Sequence, residues 1–429
     1  MFKAVKKEVI DQHNQSHKSD LDFDFEYLEK KLQQSQIDIH KIKEQVKKFQ
    51  VAVPTWGVGT GGTRFARFPG IGEPQNIYEK IEDCAVINDL MGFTQKVSPH
   101  FPWDNVEDFS ELKSFSDNYG IGFDVVNSNT FQDSDDSSES FKYGSLTNAS
   151  SAARDKAIEV NQRAIDNGRI LGSKGLTVWI GDGGNFPGQI SFSRSLERYI
   201  DSMKKIYSHL PKDWTVLLEH KPYEPAFYST VISDWGTSYI CAKELGDQAM
   251  CLVDLGHHLP NTNIEMIVSR LIDLKKLGGF HFNDSKFGDD DLDAGSINPY
   301  ELFLIFNELT AASQNNKISN ISYMIDQSHN VTDPIESLIL SANEIVNSYA
   351  KSLLVNYSLL EKSQDGNDAI QSMQILKTAF NIDVSPIVAM ARFENGNSIN
   401  PIDTYRTLDY KNDKSLKRKN KSGSSSGIV

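Results

Sequence analysis

Short apolar runs recur along the middle of this chain, and they are rich in the β-branched and aromatic residues typical of strands. Between most of them, apolar residues repeat at three and four positions, which predicts helices. Strand and helix alternate at intervals of about 25 to 45 residues, as in right-handed parallel βαβ units. The predicted strands are 50–56, 96–101, 120–127, 175–181, 213–219, 250–256, 278–284 and 320–326. Eight such units close a barrel, so we predict an α/β fold of the (β/α)8 TIM barrel type.

Helical patterns extend beyond the barrel at both ends of the chain. We predict an N-terminal helical extension over residues 1–50, the barrel over 51–345 and a C-terminal helical extension over 346–410. Residues 411–429 are basic and rich in Ser and Gly, which predicts a disordered tail. The glycine-rich segment 57–70 only partly imitates the phosphate-binding turn of a doubly wound fold, because no helical pattern begins promptly after it.

Composition and charge narrow the classes of protein. The chain has 429 residues, of which 39% are hydrophobic and 24% charged, as in ordinary globular proteins. Its net charge of −14 argues against a nucleic-acid binder, which gains from basic contacts to phosphates. The three cysteines Cys84, Cys241 and Cys251 have no C-x-x-C spacing, and the chain shows no signal peptide and no long apolar span. We therefore expect a cytoplasmic protein that binds neither nucleic acid nor membranes.

Side chains suited to metal binding stand where successive predicted strands end. They are Glu219, Asp254, His281 and Asp326. A TIM barrel builds its active site at the C-terminal ends of its strands, from residues far apart in sequence. Three carboxylates and an imidazole suit a divalent ion such as Mn, Mg or Zn. Any one of them alone could simply be a polar residue at a strand end, but the regularity favours a metal site.

A second metal site is predicted beside the first. His257 lies three residues beyond Asp254, and Asp289 and Asp291 follow His281 in an acidic run. In an extended loop, residues i and i+2 face the same way, so these two aspartates could chelate one ion together with His257. The site could also share Glu219. The alternative interpretation is an acidic turn without a ligand.

Two further residues are candidates for catalysis. Lys221 lies two positions past Glu219, so in an extended segment it points to the same side and could polarise a substrate oxygen. Its alternative role is a salt bridge to one of the carboxylates. His100, with Asp104 nearby, could shuttle a proton, although a lone histidine near a strand end is often structural.

Aromatic residues also fall at or just beyond strand ends. They are Trp56, Trp103, Phe131 and Trp179. Such rings stack against the C–H surface of a sugar, although core packing is the alternative for each of them. Interleaved polar residues that could bind hydroxyl groups are Asn127, Asn129, Asp182 and Asn185.

Two ions beside a lysine and an aromatic wall suit a polyol whose adjacent oxygens bind a metal, and such a site permits aldose–ketose isomerisation. One ion would hold the sugar and stabilise charge on O1 and O2, while water on the second ion takes the O2 proton. Hydrogen would then move from C2 to C1 as hydride. A carboxylate base acting through an enediol is the rival route, and the sequence does not separate the two.

Seven segments carry a family resemblance. They are VAVPTWGVGTGGTRFARFPG, NSNTF, LTVWIGDGGNFPGQ, EHKPYEPAFYSTV, CLVDLGHHLPNTNIEMIV, GGFHFNDSKFGDDDLDAG and MIDQSHNVTDPIESLI. They closely resemble the L-rhamnose isomerases of the xylose-isomerase-like barrel superfamily, over about residues 20 to 410. The resemblance implies a homotetramer that uses two Mn²⁺ ions per subunit, or Mg²⁺, Co²⁺ or Zn²⁺, to interconvert L-rhamnose and L-rhamnulose. The chain is most similar to the shorter, broad-specificity branch, which also acts on aldoses such as D-allose.

The resemblance also implies roles for individual residues. Glu219, Asp254, His281 and Asp326 are similar to the structural-metal ligands, and His257, Asp289 and Asp291 to the catalytic-metal ligands. Lys221 resembles a substrate-contacting lysine, and Asp326 a proton handler. The pocket wall would be Trp56, Trp103, Phe131 and Trp179, completed by Phe65, which in this family reaches from loop 57–70 into a neighbouring subunit's pocket.

Three alternative functions stay open at the level of sequence. One is a related xylose-isomerase-like sugar isomerase or epimerase. Another is a metal-dependent phosphodiester hydrolase on a similar barrel, which the net charge of −14 and the tryptophans disfavour. The last is a catalytically silent sugar-binding protein, which would keep the aromatic residues while losing metal ligands or Lys221.

Overall fold

A computed structural model describes residues 2–59, 70–133, 139–224, 228–318, 320–328 and 331–418. The strands are β1 Val53–Pro54, β2 Lys96–Ser98, β3 His100–Phe101, β4 Gly122–Phe123, β5 Val126–Ser128, β6 Gly175–Val178, β7 Thr215–Glu219, β8 Tyr223–Glu224, β9 Tyr228–Ser229, β10 Ala249–Asp254, β11 Leu277–Phe282 and β12 Ser322–Ile325. The helices are α1 Lys7–Gln33, α2 Ile39–Val46, α3 Thr55–Val58, α4 Ile77–Met91, α5 Phe109–Tyr119, α6 Ser151–Leu171, α7 Phe192–Tyr207, α8 Trp235–Leu245, α9 Ile264–Asp273, α10 Pro299–Gln314, α11 Pro334–Ser352, α12 Tyr357–Asp365, α13 Ala369–Phe380, α14 Ser385–Glu394, α15 Pro401–Arg406 and α16 Tyr410–Lys417.

Ten of these strands form a parallel barrel. Seven pair in the order β12-β11-β10-β7-β6-β5-β3, and β1-β2-β4 form a second parallel sheet. Two of the predicted strands are each divided in two, 96–101 at Pro99 and 120–127 at residues 124–125. A parallel bridge between Ala52 and Met324 joins β1 to β12 and closes the cylinder. All eight predicted strand segments are therefore present, and the predicted TIM barrel is confirmed.

The register of the strands places the candidate ligand residues beside one another. Asp254 in β10 pairs with His281 in β11, and Glu219 in β7 pairs with Leu252 in β10. Every residue of β11 is buried, because helices cover its outer face and side chains fill the barrel interior. The polar residues that end these strands consequently lie at one level of the barrel mouth.

Glycine plays different roles at two positions of α6. Gly172 follows the helix with a φ of +85°, a left-handed conformation that ends a helix readily when no Cβ is present. Gly168, by contrast, lies inside the helix. A Cβ there would come within 2.8 Å of Trp214 and 3.0 Å of Val126, so this glycine allows close helix–strand packing.

The terminal extensions differ in detail from the sequence-based boundaries. Helix α1 begins at Lys7, and α11 runs across the boundary placed at residue 345. Residues 410–417 form helix α16, where the sequence predicted disorder. The physical reason lies at Arg418, whose buried guanidinium donates to Asp83 at 2.7 and 3.0 Å, because a tertiary ion pair outweighs a polar local composition. None of the helices that the structure describes is long and apolar enough to cross a membrane.

Candidate metal centre

Four of the predicted ligands converge at the barrel mouth. The ligand atoms of Glu219, Asp254, His281 and Asp326 all lie within 4.8 Å of one another. His281 Nδ1 is 3.2 Å from a Glu219 oxygen, 3.5 Å from Asp254 Oδ2 and 3.2 Å from Asp326 Oδ2. The residues come from β7, β10, β11 and the residue after β12, as the strand-end pattern predicted.

Neighbouring groups hold these carboxylates in place. Asp254 Oδ1 accepts hydrogen bonds from the Gly256 backbone N–H at 2.8 Å and from Asn283 Nδ2 at 3.1 Å. The Trp56 indole N–H donates to Asp326 Oδ1 at 2.9 Å. Each carboxylate thereby keeps its other oxygen turned toward His281, which orients the cluster around a common centre.

The charges of the cluster are strongly coupled. Burial disfavours ionisation of Glu219, but the facing imidazoles of His281 and His257 outweigh it and hold the pKa of Glu219 below its usual range. Burial opposes the charged form of His281 as well, yet the carboxylates, Glu219 foremost, raise its pKa well above 6.5. Positive charge is thus favoured where the carboxylates converge.

The residues present fit a divalent cation. Asp254 Oδ2 is buried and accepts no hydrogen bond from the residues described, although a buried carboxylate oxygen without a partner is costly. Ligand atoms within 4.8 Å of one another can share an ion at the distance of about 2.0 to 2.6 Å usual for oxygen and nitrogen ligands. These residues form a possible metal site, whose ion is not identified.

The second predicted set lies directly beside the first. His257 Nε2 is 2.7 Å from Asp289 Oδ1, and its Nδ1 is 3.2 Å from the Glu219 oxygen that also faces His281. Asp289 and Asp291 line the same cleft, but they are not in an extended loop, since their φ angles are +57° and +50°. Contacts in the loop set this left-handed backbone: Asp289 N–H donates to the Gly256 carbonyl, and Ser328 donates to Asp291.

Lys221 is already part of an ion-pair network. Its ammonium donates to Asp289 Oδ2 at 2.7 Å and to Glu224 Oε1 at 3.2 Å, and it stands 5.2 Å from the Trp179 ring centroid. The salt bridge that the sequence left as its alternative role is therefore present. Its side chain is only 2% exposed, which makes it a fixed charge at the edge of the second set.

An aromatic cleft opens over both sets of ligands. His100 stacks on Trp103 with ring centroids 4.3 Å apart, and Phe131 meets the edges of Trp103 and Trp179 at 5.8 and 4.7 Å. The four predicted wall residues that line it are Trp56, Trp103, Phe131 and Trp179. A cleft that is aromatic on one side and lined by acidic and imidazole groups on the other suits a small polyol.

The predicted proton relay between His100 and Asp104 is not formed. Asp104 accepts from the backbone N–H of His100 at 2.9 Å and pairs with Lys80, so its carboxylate is directed away from the imidazole. Burial among the aromatic rings lowers the pKa of His100 to about 3. His100 is therefore a neutral member of the cleft wall at physiological pH.

Other candidates meet different outcomes. Phe65 lies outside the described residues, as does most of loop 57–70. Asp182, expected to bind hydroxyls, instead accepts four hydrogen bonds from Ser145 and Thr147, while Asn127 does line the cleft.

Four further residues near the site were not predicted from the sequence. Ser128, Gln132 and Thr177 line the cleft, and Glu224 pairs with Lys221. Ser128 and Thr177 could have been found from their positions near the ends of β5 and β6.

Comparison with known proteins identifies the family of this chain. Residues 88–310 match the family model described as xylose isomerase-like TIM barrel. The chain belongs to this family. A probable sugar isomerase of Mesorhizobium japonicum is 57% identical over 99% of both chains, and one of Rhizobium meliloti is 54% identical over 100% of both. The solved structure of an L-ribulose 3-epimerase matches the fold with a TM-score of 0.50 at 14% identity, over 75% of this chain and 98% of that one.

Proposed function

We propose that this protein is a metal-dependent sugar isomerase that interconverts an aldose and a ketose, with L-rhamnose and L-rhamnulose as its principal pair. The observation that carries the proposal is the convergence of Glu219, Asp254, His281 and Asp326 beneath an aromatic cleft. The relatives named as probable sugar isomerases support the reaction class. The choice of L-rhamnose rests on the segments that resemble L-rhamnose isomerases, and D-allose is a further expected substrate.

The cleft chemistry favours a neutral, unphosphorylated sugar. Acidic groups of both ligand sets face the cleft, and the ammonium of Lys221 is neutralised by Asp289 and Glu224. A phosphorylated sugar would place its charge against carboxylates, which low-dielectric surroundings make costly. Trp103 and Phe131 instead offer apolar faces to the C–H groups of a neutral ring.

Divalent ions bound by the two sets would supply Lewis-acid polarisation of adjacent sugar oxygens, and Mn²⁺ is the ion we expect. The chain's own residues would orient the sugar and accept or donate protons. Burial raises the pKa of Asp326, which makes this carboxylate a better proton acceptor near O1 and O2 of a bound sugar. The Lys221 ammonium is placed to donate a hydrogen bond to a sugar oxygen, and the aromatic wall excludes water.

Turnover of L-rhamnose labelled with deuterium at C2 tests the proposal. Protein treated with EDTA and then supplied with Mn²⁺ should form L-rhamnulose, while the EDTA-treated protein alone should not. Retention of label at C1 would indicate direct hydrogen transfer, whereas loss to solvent would indicate an enediol. Failure to isomerise L-rhamnose, D-allose or any related aldose after reconstitution would refute the proposed function.

A related epimerase is the second candidate, since the solved structure of an L-ribulose 3-epimerase shares the fold. That likeness shows architecture alone. Product analysis of the same reactions separates the candidates, because an isomerase exchanges an aldehyde for a ketone while an epimerase returns a ketose from a ketose.

A further inference from the structure

A buried ion pair lies under the aromatic side of the cleft, apart from both ligand sets. Lys80 in α4 donates from Nζ to Asp104 Oδ1 at 2.7 Å, and their side chains are 4% and 1% exposed. Neither residue lines the cleft. Such a pair contributes little net stability by itself, but loss of either partner leaves a buried charge uncompensated.

The Asp104 carboxylate connects three separate pieces of the chain. Its Oδ2 accepts from the Thr55 hydroxyl at 2.5 Å and from the His100 backbone N–H at 2.9 Å, while its Oδ1 faces Lys80. The Asp104 backbone N–H in turn donates to the His100 carbonyl at 2.9 Å. The Asp104 carboxylate thus holds three positions relative to α4. They are the start of α3, the start of β3 and the turn after β3.

Each of these pieces carries one ring of the cleft wall. Trp56 follows Thr55 directly, and the ring of His100 lies between Trp56 at 5.3 Å and Trp103 at 4.3 Å. Trp56 also donates to Asp326 Oδ1. A shift of Asp104 would therefore move the rings relative to one another and relative to the ligand carboxylate that Trp56 orients.

We propose that Lys80 and Asp104 are positioning residues, which hold Trp56, His100 and Trp103 in the arrangement that binds the sugar. This inference rests on the proposed function and concerns how the same cleft recognises its substrate. Because the pair acts directly on the aromatic side and reaches the ligand set only through Trp56, its loss should weaken sugar binding more than metal binding.

The main test is Lys80→Met, with Lys43→Met as its matched control. Lys43 is also a buried lysine paired with a carboxylate, Glu394, but it lies between α2 and α14. Lys80→Met should raise KM for the aldose and weaken binding of an unreactive alditol roughly tenfold or more, since a displacement of about 1 Å is enough for such losses. The kcat should change less, and the affinity for Mn²⁺ measured by electron paramagnetic resonance should fall by a smaller factor than the affinity for the alditol. Lys43→Met should alter none of these quantities.

Thr55→Val and Thr55→Ser keep the test decisive if Lys80→Met does not fold. Valine removes the hydroxyl that bonds Asp104 while leaving the ion pair, whereas serine retains it. Weaker alditol binding in the valine variant, with recovery in the serine variant, supports the positioning role. Equal alditol binding in wild type, Lys80→Met and Thr55→Val would overturn it, as would a loss of Mn²⁺ affinity as large as the loss of alditol affinity. A wild-type protein that isomerises no aldose would instead refute the proposed function, so the two failures are distinguishable.

Discussion

Three buried aspartates show how surroundings assign a role to one residue type. Asp104 is neutralised by Lys80, Asp182 is satisfied by four hydrogen bonds, and Asp254 keeps one oxygen without a hydrogen-bond partner among the described residues. A buried carboxylate oxygen that accepts no hydrogen bond costs free energy, and the nearest described cationic group to Asp254 Oδ2 is His281 Nδ1 at 3.5 Å. Of these three, Asp254 is the one at which a cation would gain most.

Glu301 offers a prediction about pH at the residue scale. It lies in the first turn of α10, where burial, followed by the charges of Glu265 and Asp284, raises its pKa from 4.5 to about 7. The folded state therefore holds this proton more tightly than the unfolded state, and stability falls as pH rises from about 4.5 to about 7. Glu301→Gln should remove that loss and stabilise the protein at pH 8 by on the order of 1 kcal/mol, after a discount for partial exposure.

Thermal unfolding in EDTA at pH 5 and pH 8 measures this effect. The gain in Tm should be larger at pH 8 than at pH 5. Glu8→Gln, which removes an exposed first-turn carboxylate from α1, controls for the loss of helix-dipole stabilisation. A gain from Glu301→Gln that is equal at both pH values would contradict the assigned pKa.

At the scale of elements, α16 depends on one buried contact. Arg418 donates to both oxygens of Asp83, and Tyr410 donates to Asp83 Oδ1 at 2.6 Å. The side chains of Arg418 and Asp83 are 3% and 0% exposed, so their separation would leave a charge in the interior. A short polar helix is thereby stabilised by tertiary structure rather than by its own propensity.

Arg418→Met should lower the free energy of unfolding by about 3 to 5 kcal/mol, the usual cost of breaking a buried ion pair. Removal of residues 419–429 should leave the Tm unchanged, whereas removal of 409–429 should lower it by several degrees. Arg406→Met is the control, because Arg406 is largely exposed in its pair with Glu336 and exposed pairs contribute little to stability. Equal effects of the two arginine substitutions in denaturant unfolding would show that Asp83 is not a buried anchor.

Sequence periodicity predicted the barrel because every strand has its own run of apolar residues. The ligand residues lie at the ends of those runs. Glu219 and Asp254 could therefore be recognised one strand at a time. Lys80 could not, since it lies in the first turn of a helix, away from any strand end, and its relation to Asp104 exists only after α4 packs against the turn beyond β3. Helix α16 was missed for the same reason, because its stabilising contact joins positions 335 residues apart.

At the scale of the whole molecule, the ligand cluster links four strands of the barrel. Repulsion among Glu219, Asp254 and Asp326 opposes folding unless a cation or a protonated His281 offsets it. An ion that binds only the folded state adds RT ln(1 + [L]/Kd), which is about 2.7 kcal/mol at a hundredfold excess over Kd. Metal binding should thus be visible in the stability of the entire chain.

We expect Mn²⁺ to raise the Tm of the EDTA-treated protein by several degrees. Asp254→Asn should abolish that rise, because it removes one of the three anionic groups that would hold the ion. Glu394→Gln, remote from the barrel mouth, should retain the wild-type response to Mn²⁺. Scanning calorimetry with and without metal provides the measurement, and an undiminished Mn²⁺ response in Asp254→Asn would exclude that residue as a ligand.

The contact between β1 and β12 is short, because a single parallel bridge, between Ala52 and Met324, connects the two strands. Two backbone hydrogen bonds cross it, from Ala52 N–H to the Tyr323 carbonyl and from Ile325 N–H to the Ala52 carbonyl. Just beyond it, the Trp56 indole reaches over to Asp326. An ion held by Asp326 would therefore be linked through Trp56 to the contact between the first and last strands, so we expect metal binding to slow amide hydrogen exchange at Ala52 and Ile325.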